Sequence, residues 1–520
     1  MRDFNITGLC VPRMHYMVDI SAKVDEIAAM VDKGLYFTIN RARQFGKTTT
    51  FFMLGERLNK KYLAVRISFE GVDDGSFTTN KSFCDMFAKV FARALKITEV
   101  SHEALSSWQK DVPADMFELD QLIASFCVKT SKPVVLMIDE VDKTSNNQVF
   151  LNFLGMLRDK YLRRSAGEDS TFQSVILAGV YDVKNLKRKI TGEEILSASG
   201  ERIYNSPWNI AADFKVKMSF APNEIATMLT EYENDWHTGM NINEISGALY
   251  RRTNGYPFLV SKLCKMIAED MDKDWTIDGV ERAVKAILQD ENTLFDDMFK
   301  NIENNKKFYD LIYDIMVQGR EIPFSSKNPT IELGAMFGII MNKDGKAAVS
   351  NEIFELVISE YLVSKMATDI SVTSKVFKED VVKDGKFNMA LCLEKFAGHY
   401  YEIYSETDEK FLEKHGRILF ITYLRPLING QGFYHMETET RNTLRMDLVV
   451  DYGSQQFVVE MKLWHGDKRH EDAYEQLWKY LDAKDKGEGY LLTFDFRKDG
   501  KKKKGEWVEY KGKRIFDVVV

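Results

Sequence analysis

The sequence predicts an α/β chain with two sheet-bearing modules and a helical stretch between them. Three observations carry that expectation. In the N-terminal half, short continuous apolar runs alternate with helical stretches, as right-handed crossovers between parallel strands require. From Ala221 the strand signal gives way to helical periodicity. Beyond Phe387, the pattern reads as helix, three strands, helix and strand, with Glu413 on the early helix.

The elements follow in order. Residues 21–33 (SAKVDEIAAMVDK) read as an amphipathic helix, and LYFTIN as a buried strand. A helix continues from Phe51 to Lys60, and LAVRISFE at 63–70 is the next strand. Residues 80–130 are helical and carry much of the Phe and Leu. PVVLMIDE is a continuous apolar strand, as expected in a parallel sheet covered on both faces. SVILAGVYD at 174–182 is another, and FKVKMSF at 214–220 reads as the last. APNEIATMLTEYEND then starts a helix, and in TNGYPFLVSKLCKMIAEDM Gly255 and Pro257 punctuate a turn before the next. Within 300–375, FYDLIYDIMVQG is a helix, LGAMFGIIMNKDGKAAVSN a helix then a hairpin, and EIFELVISEYLVSK a final helix. That order is winged-helix-like. Its last helix is not rich in Lys or Arg, which favours packing or protein contact over DNA binding. The domains are therefore 1–220, 221–299, 300–375 and 387–520, with a charged linker over 371–386.

At 520 residues the chain is too long for one core. With 45% apolar and 29% charged residues it has an ordinary soluble composition. A net charge of −7 excludes a generally basic nucleic-acid binder. The basic run from Arg497 to Lys504 reads first as a solvated hairpin turn. The five cysteines are scattered, which fits neither a zinc cluster nor a disulfide framework and points to a reducing cytoplasm. The sequence shows no signal peptide and no apolar stretch of membrane-spanning length.

RARQFGKTTT at 41–50 follows an apolar strand and opens a helix. A phosphate loop needs inward backbone N–H groups, a lysine for the β- and γ-phosphates and a hydroxyl for magnesium. Gly46, Lys47 and Thr48 supply these, and Arg43, Gln44, Phe45 and Thr49 complete the expected ATP-binding loop. VVLMI is followed by Asp139, a magnesium-orienting acid, and Glu140, a water-activating base. Thr48 and Asp139 are thus the expected Mg2+ residues. Arg41, Arg43 and Arg188 are candidate arginine fingers. Asp182 stands either as a γ-phosphate sensor or as a turn residue.

This segment resembles the AAA-ATPase-like family whose phosphate loop reads R-x-R-x-F-G-K-[ST], in which an arginine stands where Arg41 does. VLMIDEVDK resembles its acidic strand, and TNGYPFLV the helical-lid motif of STAND-type ATPases. The resemblance covers roughly residues 1–300 and implies a P-loop NTPase sheet with a helical lid. It also implies ATP on Gly46, Lys47 and Thr48, with Asp139 and Glu140 at the metal and water. Asp142 matches a further family acid.

The C-terminal module carries a second polar set. Asp447 is expected to close one strand (LRMDLVVDY), and Glu460-Met461-Lys462 the next (QQFVVEMKLW), with a hairpin at DYGSQQ. Both carboxylates can then reach one divalent ion, and the Met461 carbonyl is a further ligand candidate. Lys462, two residues past Glu460, shares its sheet face and can orient water or neutralise charge. Gln476 and Tyr480 share a helix face and could hold a scissile backbone. Hard oxygen ligands suit Mg2+ or Mn2+.

This set resembles the PD-(D/E)XK nuclease superfamily, which implies a restriction-endonuclease-like α/β domain. Gln476-Leu-Trp-Lys-Tyr480 looks like the Q-x-x-x-Y helix of its RecB-like branch. EKHGRILFITYLRPLINGQGFYHMETETRNTLRMDLVV looks like the nuclease domain that follows AAA-ATPase-like domains in many bacterial proteins. The superfamily offers Glu413 as a further metal-site acid, with Glu437 and Glu439 as weaker candidates. His415, His435, His465 and His470 form no close pair and read as satisfied histidines rather than ligands. The expected activity is an ATP-coupled, metal-dependent nuclease acting on DNA, in a cytoplasmic protein that could assemble as a homo-oligomer. The alternatives are an ATP-driven switch and a protein-remodelling ATPase, with the nuclease fold inactive or kept for binding.

Overall fold

The computed structural model describes residues 2–98, 100–110, 112–141, 147–179, 187–188, 202–203, 207–316, 320–369, 378–403, 432–439, 445–464, 467–495 and 503–520, with isolated residues between 416 and 428. The chain divides into two compact units. The first comprises Met1–Asn301, Ser326–Met341 and Ser350–Ile353; the second comprises Ile302–Ser325, Asn342–Val349 and Phe354–Val520.

The first unit is built on a parallel sheet of β1 (Phe37–Asn40), β2 (Leu63–Ser68), β3 (Val134–Asp139) and β4 (Ser174–Gly179), in the order β1-β4-β3-β2. Every residue of β3 and β4 is buried, as their continuous apolar composition requires. Helix α1 (Ser21–Asp32) precedes β1, and α2 (Lys47–Leu58) leaves the phosphate loop. The helical stretch resolves into α3 (Asn80–Leu95), α4 (His102–Gln109) and α5 (Met116–Lys129). Its aromatics pack a core with the Phe150 and Phe153 of α6 (Gln148–Ser165). Thr79, Ser101, Asp115 and Asn147 cap these helices, each accepting an early backbone N–H.

FKVKMSF does not form the expected strand. Ala212 makes an isolated parallel bridge to Phe37, and the segment then leaves the sheet edge. Its backbone groups are taken elsewhere. The Arg41 guanidinium donates to the Val216 carbonyl at 2.9 Å, and the Phe220 N–H donates to the Gly255 carbonyl at 2.8 Å. A β-ladder cannot form with those groups diverted.

The segment expected to form a helical lid folds as α7 (Pro222–Trp236), α8 (Ile242–Thr253), α9 (Pro257–Asp270) and α10 (Ile277–Leu288). Next comes α11 (Thr293–Glu303). Pro222 and Pro257 occupy the first helical positions, where a missing N–H costs nothing. The region after 300 shows the expected order: helix Lys306–Met316, helix Pro329–Met336, hairpin strands Ile340–Lys343 and Lys346–Val349, and helix Glu352–Asp369.

The C-terminal sheet takes the labels β5 (Gly432–Glu439), β6 (Arg445–Tyr452), β7 (Gln455–Leu463), β8 (Glu488–Phe494), β9 (Lys503–Tyr510) and β10 (Lys513–Val519), in the order β5-β6-β7-β8-β10-β9. Pairing is antiparallel from β5 to β7, parallel across β7, β8 and β10, and antiparallel again to β9. The helix Asp467–Ala483 crosses between β7 and β8. Its Ala473, Leu477 and Leu481 pack on Val458, Leu491 and Ile515. A side chain at Gly489 would meet Leu481 at 2.8 Å, so glycine permits this close helix–sheet approach.

Candidate functional site

The phosphate loop connects β1 to α2. Gly46 takes a left-handed φ of 74° at the helix N-cap, and an added Cβ there would meet nothing within 4 Å. No side-chain hydrogen bond caps the start of α2, an arrangement suited to an anion at its N-terminus. Lys47 is buried, and its Nζ donates to the carbonyls of Arg41 at 2.9 Å and Ala42 at 3.1 Å. Thr48 Oγ1 donates to Asp139 Oδ2 at 3.0 Å. This bond joins the loop hydroxyl to the acid ending β3, two groups that together suit a magnesium ion. Burial pushes the Asp139 carboxyl above its usual range, partly offset by Thr48, the Glu140 N–H and Lys47. Glu140 has a left-handed φ of 55°, a strained backbone for a residue with a side chain. Thr49 Oγ1 accepts the Cys10 N–H at 3.2 Å.

The remaining loop residues are held from outside. Arg43 pairs with Asp297 at 3.0 Å, and Gln44 Nε2 donates to Thr293 Oγ1 at 2.8 Å, both on α11. The Tyr256 hydroxyl donates to the Arg43 carbonyl at 2.8 Å, and its ring lies edge-on to Phe45 at 4.8 Å. Arg41 is stacked over Phe214 at 5.2 Å and bonded to Val216, and burial lowers its basicity. Its guanidinium is thus spent on holding the loop to the 214–218 segment. Glu70, just beyond β2, interacts electrostatically with Asp139. The sequence marked Tyr256 through TNGYPFLV, but nothing marked Thr293, Asp297 or Glu70.

In the C-terminal sheet, Glu460 is fully buried on β7, and Lys462 Nζ lies 2.7 Å from its Oε1. Asp447 stands near the start of β6, not at its close. The two strands are antiparallel, with Leu448 opposite Val459, so the next step of the register sets Asp447 beside Glu460. The expected hairpin at DYGSQQ is present, and the expected neighbourhood of the two acids is compatible with the backbone, with Asp447 early in its strand rather than at its end. The Asp447 side chain lies outside the described residues, as do those of Glu437, Glu439 and His435 on β5. Glu413, Asp142, Asp182, His415 and His465 lie outside them altogether, as does the basic run up to Lys502. The Arg188 side chain is also outside the description.

Gln476 is half-buried on the crossing helix, and Tyr480 packs into the apolar cluster between helix and sheet. His470 sits one turn before Tyr474, and both reach the fully buried Asp517 on β10. His470 Nε2 is 3.1 Å from Asp517 Oδ2, and the Tyr474 hydroxyl donates to the same oxygen at 2.7 Å. In the sequence, the single acid in the apolar run RIFDVVV is the signal for Asp517. Among the described residues, no group of three or more His, Cys, Asp or Glu side chains is arranged to hold a metal ion. No described helix is long and apolar enough to cross a membrane.

A parallel sheet with a phosphate loop after its first strand, and an acid bonded to the loop hydroxyl, defines an ATP-binding, P-loop ATPase-like domain. The AAA-like domain family model matches residues 14–359, and the chain belongs to that family. No curated protein matches it. Solved structures similar to it include the Walker-type ATPase of Pyrococcus abyssi, at 13% identity and TM-score 0.45, covering 68% of this chain and 99% of that one. The Aeropyrum pernix ORC2 protein in ADPNP–ADP complexes is similar at 10% identity and TM-score 0.34, covering 70% and 98%. The Aeropyrum pernix ORC1 protein in complex with DNA follows at 11% identity and TM-score 0.29, covering 67% and 94%.

Proposed function

We propose that the chain hydrolyses ATP and couples its nucleotide cycle to a metal-dependent PD-(D/E)XK nuclease that cleaves DNA phosphodiester bonds. The observation that carries the ATPase half is the Thr48–Asp139 hydrogen bond of 3.0 Å, at the mouth of an uncapped helix. Thr48 and Asp139 would hold Mg2+, which when bound supplies positive charge beside the phosphates. Lys47 would exchange its carbonyl partners for the β- and γ-phosphates, and Glu140 would take the proton of the attacking water.

The nuclease half is supported by the pairing of half-buried Lys462 with fully buried Glu460 and by the register that brings Asp447 alongside. The oxygen donors Asp447, Glu460 and the Met461 carbonyl suit Mg2+ or Mn2+, with Glu413 a further candidate. A divalent ion there would polarise the phosphate. Lys462 would orient the attacking water, and Gln476 and Tyr480 would steady the scissile backbone. DNA is the proposed partner, and a homo-oligomer the proposed assembly.

A second reading is a nucleotide-driven switch whose nuclease fold binds nucleic acid without cutting it. The contacts of Tyr256, Thr293 and Asp297 with the phosphate loop favour it, because they link loop geometry to the lid and α11.

The test is cleavage of plasmid and single-stranded DNA with Mg2+ or Mn2+, with and without ATP. Wild type is compared with Asp447→Ala/Lys462→Ala and Lys47→Ala. Cutting that vanishes in the double variant supports the nuclease, and its change with ATP or in Lys47→Ala supports coupling. ATP turnover without cutting under any condition selects the switch.

A further inference from the structure

Strands β7 and β8 run parallel, with Glu460 opposite Leu491 and Lys462 opposite Thr493. Residues paired across a ladder project to one face, and alternate residues along a strand share it. Thr493 is therefore on the face of Glu460 and Lys462, one strand away from the lysine. It is 1% exposed, and its Oγ1 has no hydrogen-bond partner among the described residues. A buried hydroxyl without a partner is disfavoured, and valine would fill the same volume without that cost. Of its ladder neighbours, Val519 on β10 is apolar, whereas Lys462 carries N–H donors.

Lys462 Nζ is now 2.7 Å from Glu460 Oε1. A divalent ion on Glu460 would compete with that ammonium for the same carboxylate oxygens. With its hold on Glu460 weakened by the ion, the ammonium can take a further acceptor on this face, and the Thr493 hydroxyl is one strand away.

We propose that Thr493 is a positioning residue of the nuclease-like site: its Oγ1 accepts an N–H of Lys462 and holds the ammonium in place when Glu460 carries a divalent ion. The assignment rests on the nuclease reading and adds to it a residue outside the Asp447, Glu460 and Lys462 set. Thr493 acts through Lys462 and needs no contact with DNA. Serine would preserve the acceptor, and valine would remove it with little change of shape.

The experiment uses the full chain with Thr493→Val, Thr493→Ser and Asp447→Ala. Mn2+ binding is measured by calorimetry and plasmid cleavage as kcat and KM. Acetylation of Lys462 is followed by mass spectrometry with Mn2+ present. Thr493→Val is expected to keep its Mn2+ affinity and KM, and to lose about tenfold to 100-fold in kcat, the worth of one hydrogen bond to a charged group. Its Lys462 should acetylate about fivefold faster than in wild type. Thr493→Ser should restore both. Cutting by wild type with Thr493→Val unchanged in kcat and acetylation would overturn the Thr493 assignment alone. Loss of Mn2+ binding in Thr493→Val, or failure of serine to rescue, would also overturn it. A wild type that neither binds Mn2+ nor cuts would overturn the nuclease reading, and this assignment with it.

Discussion

Gly255 lies in the turn between α8 and α9 and packs on the Phe220 backbone, and replacing it with alanine tests how the phosphate loop is supported. Its φ of 68° is left-handed, and a Cβ would lie 1.9 Å from the Phe220 carbonyl oxygen and 2.8 Å from the Phe220 carbon and nitrogen. Backbone cannot give way as a flexible side chain can. The Phe220 N–H to Gly255 carbonyl bond of 2.8 Å must break or lengthen. The left-handed conformation costs alanine about 1–2 kcal/mol, and the lost buried bond adds about 1–3 kcal/mol. Gly255→Ala should therefore destabilise by about 3 kcal/mol. Gly239 has a similar φ of 77° with nothing within 4 Å of a Cβ, so Gly239→Ala isolates the conformational cost, about 1 kcal/mol. The assay is urea denaturation of both variants and wild type, compared at their midpoints. Because Tyr256 follows directly and donates to the Arg43 carbonyl, Gly255→Ala should also weaken ATP about fivefold by calorimetry. Equal midpoints for the two variants would refute the close-approach reasoning.

The other expectations concern the nucleotide site. Lys47→Ala should abolish ATP binding by calorimetry; unchanged affinity would mean the loop is misplaced. Glu140→Gln should bind ATP yet turn it over at least about 100-fold more slowly, and unaltered turnover removes Glu140 from the base role. Asp139→Asn follows from the raised carboxyl. A carboxyl raised in the fold contributes stability below its unfolded value and loses it as pH rises through the folded value. At neutral pH the ionised Asp139 therefore burdens the metal-free protein, and Asp139→Asn should melt no lower than wild type. That advantage should disappear in acid, while stabilisation by Mg2+ with ATP is lost; thermal scans at both pH values check it. A metal-free Asp139→Asn that melts well below wild type at neutral pH would contradict the burial account.

The elements that were legible are those dictated by local composition. VVLMID reads as a buried strand because a strand covered on both faces has no polar side, and GKTTT reads as an anion-binding helix start because it follows a strand, opens a helix and is followed in order by the acidic strand. The Glu460–Lys462 pair was legible for the same kind of reason, since strand alternation puts residues two apart on one face. What failed were statements about partners distant in sequence. FKVKMSF has strand composition, but its Val216 carbonyl accepts from Arg41, its Ser219 carbonyl from Lys23, and its Phe220 N–H donates to Gly255. Asp447 was read as closing its strand, whereas the antiparallel register sets its place near the strand's start, beside the end of β7.

By itself, then, the sequence determined the two α/β modules, the phosphate loop with its acid, and the spacing of the polar C-terminal set. Tertiary structure alone decided that α11 and Tyr256 grip the phosphate loop, that Arg41 is committed to the 214–218 segment, and that Thr493 stands beside Lys462. The physical reason is range. Periodicity, capping and backbone preference act over a few residues. A register step or a contact between Gln44 and Thr293 depends on where the whole chain has packed.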